Sequence, residues 1–255
     1  MNKLLAIVTL CAFCATAQAV SIQIDDDYTG AHKRKDRINR AAWFEIDNML
    51  VTLDGTLLTV EVRTNFGADN GLGRFKRRTQ SGHGIGYGDL FLSIDGWNPH
   101  GPAPHQRDNH LRGESWEYGI ALDDRWDLDG DGESTASLYQ LSGDNSDLVL
   151  SQDFVESRRH HRRNQEVAVD TALATLSQVV SNVQFTDTGL VFELDIAGTL
   201  LANASEIGLH WTMTGGNDVI EGLAPVPEPE TYLMMAIGLA SLFAARHRRQ
   251  KVHAR

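Results

Sequence analysis

Cysteine is scarce in this chain, which holds two cysteines among 255 residues. Both of them, Cys11 and Cys14, lie within the first 19 residues, a segment that we expect to be removed from the mature protein. After that removal, a disulfide, a thiolate nucleophile and a metal site with cysteine ligands are all excluded.

Basic residues are also scarce between the two ends of the chain. Of the 23 lysines and arginines, six lie before residue 20 or after residue 230, which leaves 17 in between, whereas all 34 acidic residues lie there. This body carries a formal net charge of −17. Because such an acidic surface repels nucleic acid and anionic lipid, we expect neither as a general partner, whereas multivalent cations and neutral or cationic glycans are compatible with it.

Recognisable catalytic motifs are missing as well. The sequence has no internal repeat of fixed period, no nucleophile elbow, no phosphate-binding glycine loop and no dinucleotide-binding fingerprint. A chain without these patterns favours a non-enzymatic role.

The N-terminus has the three parts of a secretory signal peptide. Lys3 gives a positive start, residues 4–15 form an apolar run that only Thr9 interrupts, and Ala17-Gln18-Ala19 offers small side chains to signal peptidase. As a helix this run rises only about 18 Å, well short of a bilayer core of about 30 Å. We therefore predict that residues 1–19 are a signal peptide that is cleaved after Ala19.

The C-terminus carries the most specific pattern of the chain. Pro227-Glu228-Pro229 precedes an apolar run over residues 232–245, and a basic cluster from Arg246 to Lys251 follows it. The two prolines prevent a helix, so this segment stays extended and accessible to an enzyme. The apolar run rises about 21 Å as a helix, which is marginal for spanning a bilayer, although flanking arginines can reach the interface. The basic end favours a cytoplasmic C-terminus, which places the two prolines on the outer face of the inner membrane.

These residues resemble the PEP-CTERM sorting signal that exosortase recognises, in which a Pro-Glu-Pro motif, a short hydrophobic helix and an arginine-rich end occur together. The resemblance covers residues 225–255. It implies a Gram-negative-type envelope, an inner-membrane intermediate held by the C-terminal transmembrane helix, and cleavage near Pro227, Glu228 and Pro229. It further implies release or transfer to the cell surface or extracellular matrix, and a link to exopolysaccharide and biofilm production. The alternative is a plain C-terminal anchor behind a proline-bearing linker.

Residues 20–224 have the pattern of short strands separated by glycine and aspartate turns. The clearest element is a β-hairpin over residues 49–62, whose alternating apolar residues flank a turn at Asp54-Gly55. Further alternating runs lie at residues 90–94, 116–120, 148–150, 183–196 and 209–213. Only residues 165–180 could hold a helix, and their valines weaken that interpretation. We predict an all-β fold with a single β-sandwich or jelly-roll domain.

Two parts of this body, residues 88–109 and 211–222, resemble segments of uncharacterised exported PEP-CTERM proteins. A cysteine is common in those proteins where Gly215 stands here, so we expect no redox role at this position. The resemblance supplies no catalytic residues.

The best metal candidate is an acidic loop between two predicted strands. Its carboxylates are Asp127, Asp129, Asp131 and Glu133. Carboxylates at every second position can converge on one side of a tight turn, as in the first half of an EF-hand loop. Leu138 stands where that loop would supply its bidentate glutamate. The segment is therefore either a looser Ca²⁺ loop, with Asp123 or Asp124 as further ligands, or a solvated acidic turn, and mutual repulsion of the carboxylates favours the cation.

Other side chains indicate surfaces. Trp97 and Trp126 lie in or near loops, where their rings can form a platform for a sugar. Histidines at positions 100, 105 and 110 have a spacing that fits neither strand nor helix, so we expect surface histidines rather than a zinc site. The basic run from Arg158 to Arg163 is predicted to be an exposed loop, with a grip on an anionic polysaccharide as the alternative.

The sequence as a whole predicts an exported envelope or matrix protein that signal peptidase and exosortase process. Two alternatives remain open for the body. A carbohydrate-binding module for exopolysaccharide would show glycan binding that depends on Trp97 or Trp126. A glycan-active enzyme would need two carboxylates about 5–10 Å apart across a cleft, and the spacing along the sequence pairs none of them.

Overall fold

A computed structural model describes residues 19–30, 35–67, 70–126, 133–226 and 238, and for Glu133 and residues 178–180 it describes the backbone only. Ala19–Val226 forms one compact unit. Its strands are β1 (Val20–Asp25), β2 (Ile46–Asp54), β3 (Leu57–Thr64), β4 (Leu90–Ser93), β5 (Tyr118–Leu122), β6 (Glu133–Gln140), β7 (Leu148–Leu150), β8 (Glu166–Val169), β9 (Thr175–Thr186), β10 (Gly189–Asp195), β11 (Glu206–Thr212) and β12 (Val219–Pro225). The helices in this range are single turns, α1 (Ala41–Phe44) and α2 (Ser151–Phe154), with 3₁₀ turns at Lys76–Arg78 and Leu200–Asn203.

Within the described residues, ten strands form one antiparallel sheet in the order β1-β2-β3-β10-β9-β6-β5-β4-β11-β12. The sheet curls until its two edge strands approach each other. A Cβ built on Gly222 of β12 would overlap with Cγ2 of Ile24 on β1, so the missing side chain lets these edges meet. The all-β prediction is confirmed, and the curled sheet is nearly closed.

The inward-facing apolar side chains of this sheet share one core. They include Val51, Val60, Leu92, Ile120, Phe192 and Leu209, each less than 4 % exposed. The predicted hairpin is present as β2 and β3, in which Asp54 pairs with Leu57 across a two-residue turn. Alternation along these strands places every second side chain in the core, which is why the hydrophobic pattern located them.

A second, two-stranded sheet of β7 and β8 covers the outer face of β4 and β5. A smaller core lies between the two layers, formed by Phe91, Trp116, Ala121, Leu141 and Val169. The approach is close, because a Cβ on Gly119 of β5 would overlap with Cγ2 of Val169.

The helix considered for residues 165–180 is wrong. This range contains β8, a turn in which the backbone N–H of Ala174 donates to Asp170, and the start of β9. Val167 and Val169 are almost fully buried in β8, where β-branched side chains pack well on a pleated surface. Among the described residues, no helix is both long enough and apolar enough to cross a membrane.

Candidate functional site

Several buried polar groups of this protein gather where the sheet closes. Residues 35–40 of the connection between β1 and β2 lie against the residues before β12, where the backbone N–H of Ile38 donates to the carbonyl of Asn217 at 2.7 Å. We call this region the seam, and define it as residues 26–30, 35–40 and 214–221.

The guanidinium of Arg162 holds the seam together through hydrogen bonds. Its side chain is fully buried. Nε donates to the carbonyl of Gly216 at 3.1 Å, Nη1 donates to the carbonyls of Thr29 and Gly30, and Nη2 donates to the carbonyl of Asp36. Burial lowers the pKa of this guanidinium. One cation thus binds backbone carbonyls from three parts of the chain.

This position corrects the sequence interpretation of the basic run from Arg158 to Arg163. Arg162 and His161 are buried, at 0 % and 3 % exposure, so the run is not an exposed loop throughout. The ring of His160 stacks on Phe75 with centroids 4.0 Å apart. The middle of the run is therefore part of the interior rather than a surface for an anionic polymer.

Three carboxylates meet beside Arg162. One oxygen from each of Asp26, Asp36 and Asp218 lies within 4.8 Å of the other two, and we call this group the Asp218 cluster. Asp218 is fully buried, and its Oδ2 accepts a hydrogen bond from the backbone N–H of Ile46 at 2.8 Å. Within the described residues, Oδ1 of Asp218 and Oδ1 of Asp26 are buried without a hydrogen-bond partner.

Burial and mutual repulsion hold protons on this cluster. Burial, followed by the charge of Asp218, raises the pKa of Asp26 to about 9. Burial is also the largest cause that raises the pKa of Asp218 to about 7, against the hydrogen bond from Ile46. Burial raises the pKa of Asp36, and Arg37 opposes this shift. Because burial separates these carboxylates from water, their oxygens favour a bound proton or a bound cation. Three such oxygens close together can hold a hard metal ion.

A second polar group lies between β11, β12 and β8, and we call it the His210 network. His210 and Glu221 are paired across the strands, with Nδ1 2.8 Å from Oε1. Nε2 of His210 donates to the backbone carbonyl of Glu166 at 2.9 Å, and Nε1 of Trp97 donates to Oε2 of Glu221 at 3.0 Å. Because a carbonyl oxygen can only accept, Nε2 carries a proton.

Two more carboxyls join the His210 network. Burial, followed by the charge of Glu221, raises the pKa of Glu166 to about 8. Burial and the charges of Glu221 and Glu166 raise the pKa of Asp108 to about 8, while the hydroxyl of Tyr28 donates to this carboxyl and lowers it. Glu166 and Asp108 are 3 % and 2 % exposed, so these acids are enclosed within the fold. The His210 network thus links strands and loops of the fold, and its buried carboxyl groups hold protons.

The predicted acidic loop falls largely outside the described residues. Asp127, Asp129 and Asp131 are not described, and for Glu133 only the backbone is described, at the start of β6. The two further ligands considered, Asp123 and Asp124, are exposed and line a cleft of about 560 Å³ with residues of β6 and β9. The hydroxyl of Thr135 donates to Oδ2 of Asp123. The Ca²⁺ loop stays a prediction.

Both candidate tryptophans are half-buried and hydrogen-bonded. Nε1 of Trp126 donates to the carbonyl of Gly84 at 3.0 Å. Trp97 is held by Glu221, and its ring forms edge contacts with Tyr28 and His105 at centroid distances of 6.5 and 5.4 Å. The role of either ring as a glycan platform stays a prediction.

The three spaced histidines lie in different surroundings. His100 is exposed, His105 stacks on Tyr28 at 6.1 Å, and burial lowers the pKa of the half-buried His110. The structure places polar groups that the sequence analysis did not single out, namely Asp218, His210 and Glu221, inside the fold. The signal for them is weak, because each is a polar residue within a strand or a polar segment.

The sorting residues Pro227, Glu228 and Pro229 lie outside the described residues, and β12 ends at Pro225. The family model of the PEP-CTERM protein-sorting motif matches residues 225–249, which confirms the recognition made from the tail. Comparison with curated proteins gave no match, and comparison with solved structures gave none either.

Proposed function

We propose, from the PEP-CTERM motif that marks this chain as an exported protein sorted by exosortase, that its body is a non-enzymatic envelope or matrix protein. In this proposal, the body acts at the cell surface or in the extracellular matrix of a Gram-negative-type envelope and contacts exopolysaccharide. Biofilm is then the setting in which it works.

The junction between body and motif carries this proposal. The last pair of β12 joins Pro225 to Glu206, and the matched motif begins at Pro225. A cut near Pro227, Glu228 and Pro229 would therefore leave every pair of β12 intact. Exosortase would release the complete sheet from the apolar run at residues 232–245, which would hold the uncut intermediate in the inner membrane.

The N-terminus supports the same design. The proposed signal peptidase cut after Ala19 makes Val20 the first residue of the mature chain, and Val20 begins β1, where it pairs with Leu53. Both processing steps would thus trim the chain at the limits of the described sheet.

The chemistry of the interior favours a structural role for the body. Among its strongly perturbed acids, Asp218 and Glu166 are less than 4 % exposed, and Asp218 joins the start of β12 to β2 through its hydrogen bond with Ile46. A surface with a formal charge of −17 over residues 20–230 suits contact with neutral or cationic glycans.

Replacement of Pro227, Glu228 and Pro229 by alanine tests the proposal. Without the extended segment, the chain should stay uncut in the inner membrane, as seen by fractionation and immunoblotting. The matched control replaces Glu230 and Thr231 by alanine and should be sorted normally. Normal surface delivery and trimming of the triple variant would overturn the proposal.

A second proposed function is glycan binding by a carbohydrate-binding module, and it rests on Trp97. Its indole nitrogen is anchored to Glu221, and its ring lies among Tyr28 and His105, which fixes a half-exposed aromatic surface in place. A rigid ring loses little conformational entropy on stacking against a sugar. A glycan-active enzyme would in addition need two carboxylates that face each other across a cleft.

We also propose that Asp127, Asp129, Asp131 and Glu133 bind Ca²⁺. The support is the alternating order of the carboxylates, together with the exposed Asp123 and Asp124 at the neighbouring cleft. Loss of bound Ca²⁺ in the double variant Asp129→Ala plus Asp131→Ala would distinguish this loop from a Ca²⁺ site elsewhere in the fold.

A further inference from the structure

The Asp218 cluster joins parts of the chain that are distant in sequence. Asp26 follows β1 directly, Asp36 lies in the connection from β1 to β2, and Asp218 precedes β12. Their oxygens lie within 4.8 Å of one another. A ligand held by all three would therefore tie the first edge strand and its connection to the last edge strand.

Asp218 independently indicates that something binds here. It is fully buried, and its Oδ1 has no hydrogen-bond partner within the described residues. An unpartnered buried carboxylate oxygen is costly, because it gives up water without a replacement. Oδ1 of Asp26 is in the same condition.

The nearby arginines leave these oxygens unsatisfied. The four hydrogen bonds of Arg162 go to backbone carbonyls rather than to the carboxylates. Arg37 pairs with Glu45 at 2.5 Å and with Oδ2 of Asp36 at 3.2 Å. Arg37 thus pairs with one member of the Asp218 cluster, the half-exposed Asp36.

The chemistry and number of the ligand atoms indicate the kind of ion. All three are carboxylate oxygens, which suit hard cations such as Ca²⁺ and Mg²⁺ rather than zinc or copper. Mg²⁺ gives up its water reluctantly and usually binds through one or two carboxylates, whereas Ca²⁺ accepts several. The convergence of three carboxylates, with oxygens less than 4.8 Å apart, therefore favours Ca²⁺.

We propose that Asp26, Asp36 and Asp218 form a Ca²⁺ site that fastens the seam of the sheet. The ion takes one oxygen from each carboxylate and completes its shell with water. It replaces the protons that the cluster otherwise holds, and it links β1 to β12 through their flanking residues. This site is separate from the acidic loop at Asp127–Glu133.

The test uses two measurements on the purified full chain. Calorimetry measures Ca²⁺ binding, and thermal unfolding gives the melting temperature in millimolar Ca²⁺ and in chelator. The wild type should melt several degrees higher with Ca²⁺, and Mg²⁺ should bind at least tenfold more weakly. Asp218→Asn should lose one bound Ca²⁺. In chelator it should melt no lower than the wild type, because the amide oxygen still accepts from Ile46 without a charge.

The control is the double variant Asp129→Ala plus Asp131→Ala, which should keep the ion at the seam. If Asp218→Asn does not fold, the half-exposed Asp36→Asn replaces it, with the same expected loss of one ion. Unchanged Ca²⁺ stoichiometry and affinity in the Asn variant would overturn the proposal. So would loss of all Ca²⁺ binding in the loop variant, or equal melting of the wild type with and without Ca²⁺.

Discussion

The carboxylate of Asp89 accepts a hydrogen bond from the backbone N–H of Val169 at 2.8 Å, and this bond fastens the two-stranded sheet to the main sheet. Asp89 is fully buried, accepts a second bond from the N–H of Leu122, and pairs with Arg125 at 3.2 Å. One side chain immediately before β4 thus holds β5 and β8 in place.

Replacement of Asp89 by alanine should therefore destabilise the protein strongly. The substitution removes the acceptor for the N–H groups of Val169 and Leu122, and it leaves the largely buried guanidinium of Arg125 without its carboxylate partner. The free energy of unfolding should therefore fall by about 3 kcal/mol or more. Denaturant unfolding followed by circular dichroism measures this change. The control is Asp95→Ala, an exposed position at which the change should stay within about 0.5 kcal/mol. Equal effects of the two substitutions would contradict this role of Asp89.

Closure of the sheet depends on the small size of Gly222. Gly222→Val should force apart Ile24 and β12, and should lower the free energy of unfolding by about 1–3 kcal/mol. Adding Ile24→Ala should recover part of this loss, because it removes the atoms with which the new side chain overlaps. A double variant whose loss equals the sum of the two single losses would show that these residues do not meet.

Glu166 should make stability depend on pH. Its pKa is about 8 in the fold against 4.5 for an ordinary glutamate, so between these values the folded state holds a proton that the unfolded state releases. Its contribution is complete below about pH 4.5 and is lost as the pH rises through 8. The free energy of unfolding should thus fall by up to about 1.4 kcal/mol per pH unit for this one proton.

Glu166→Gln isolates this effect from the other groups around it. The groups facing Glu166 are His210 on β11, Glu221 on β12, and Asp108 and Tyr28 from the loops, and all of them remain in this variant. In chelator, the loss of stability between pH 5 and pH 8 should be smaller for Glu166→Gln than for the wild type. The exposed Glu156→Gln is the matched control. Parallel curves for wild type and Glu166→Gln would refute the prediction.

Trp97 gives the sharpest test of glycan binding. Electrophoresis through a gel that contains the exopolysaccharide should retard the wild-type protein, and Trp97→Ala should abolish the retardation while β-rich circular dichroism persists. Trp126→Ala is the comparison, because this ring is also half-buried but anchored at Gly84 instead. If the wild type itself migrates freely, the glycan-binding function is wrong; loss only with Trp126→Ala would assign the platform to that ring.

Much of the fold is predictable from hydrophobic alternation, most clearly where one face of a strand meets water. The pair β2 and β3 follows that rule, and so does β10, with alternately buried residues. β8 and most of β12 are buried on both faces, so their sequences do not alternate. β6 is missed for the opposite reason, because its sequence is rich in serine and threonine.

The buried polar groups could not be located in the same way. Asp218 and its donor Ile46 are 172 residues apart in sequence, and only closure of the sheet brings them together. Arg162 stands in a basic run that has the composition of a surface loop, yet its guanidinium binds carbonyls of the β1–β2 connection. The sorting tail is different, since its motif depends on consecutive residues and needs no tertiary contact to be recognised.

The central claim is that exosortase cuts this chain at its tail and that the body then leaves the inner membrane. Mass spectrometry of the C-terminus of the surface-extracted protein, from cells with and without exosortase, tests it most directly. We expect a mature C-terminus near Pro227, Glu228 and Pro229 when exosortase is present, and a chain that still carries residues 232–251 when it is deleted. A protein that retains these residues in the presence of exosortase, or the same trimmed terminus in both strains, would contradict the account.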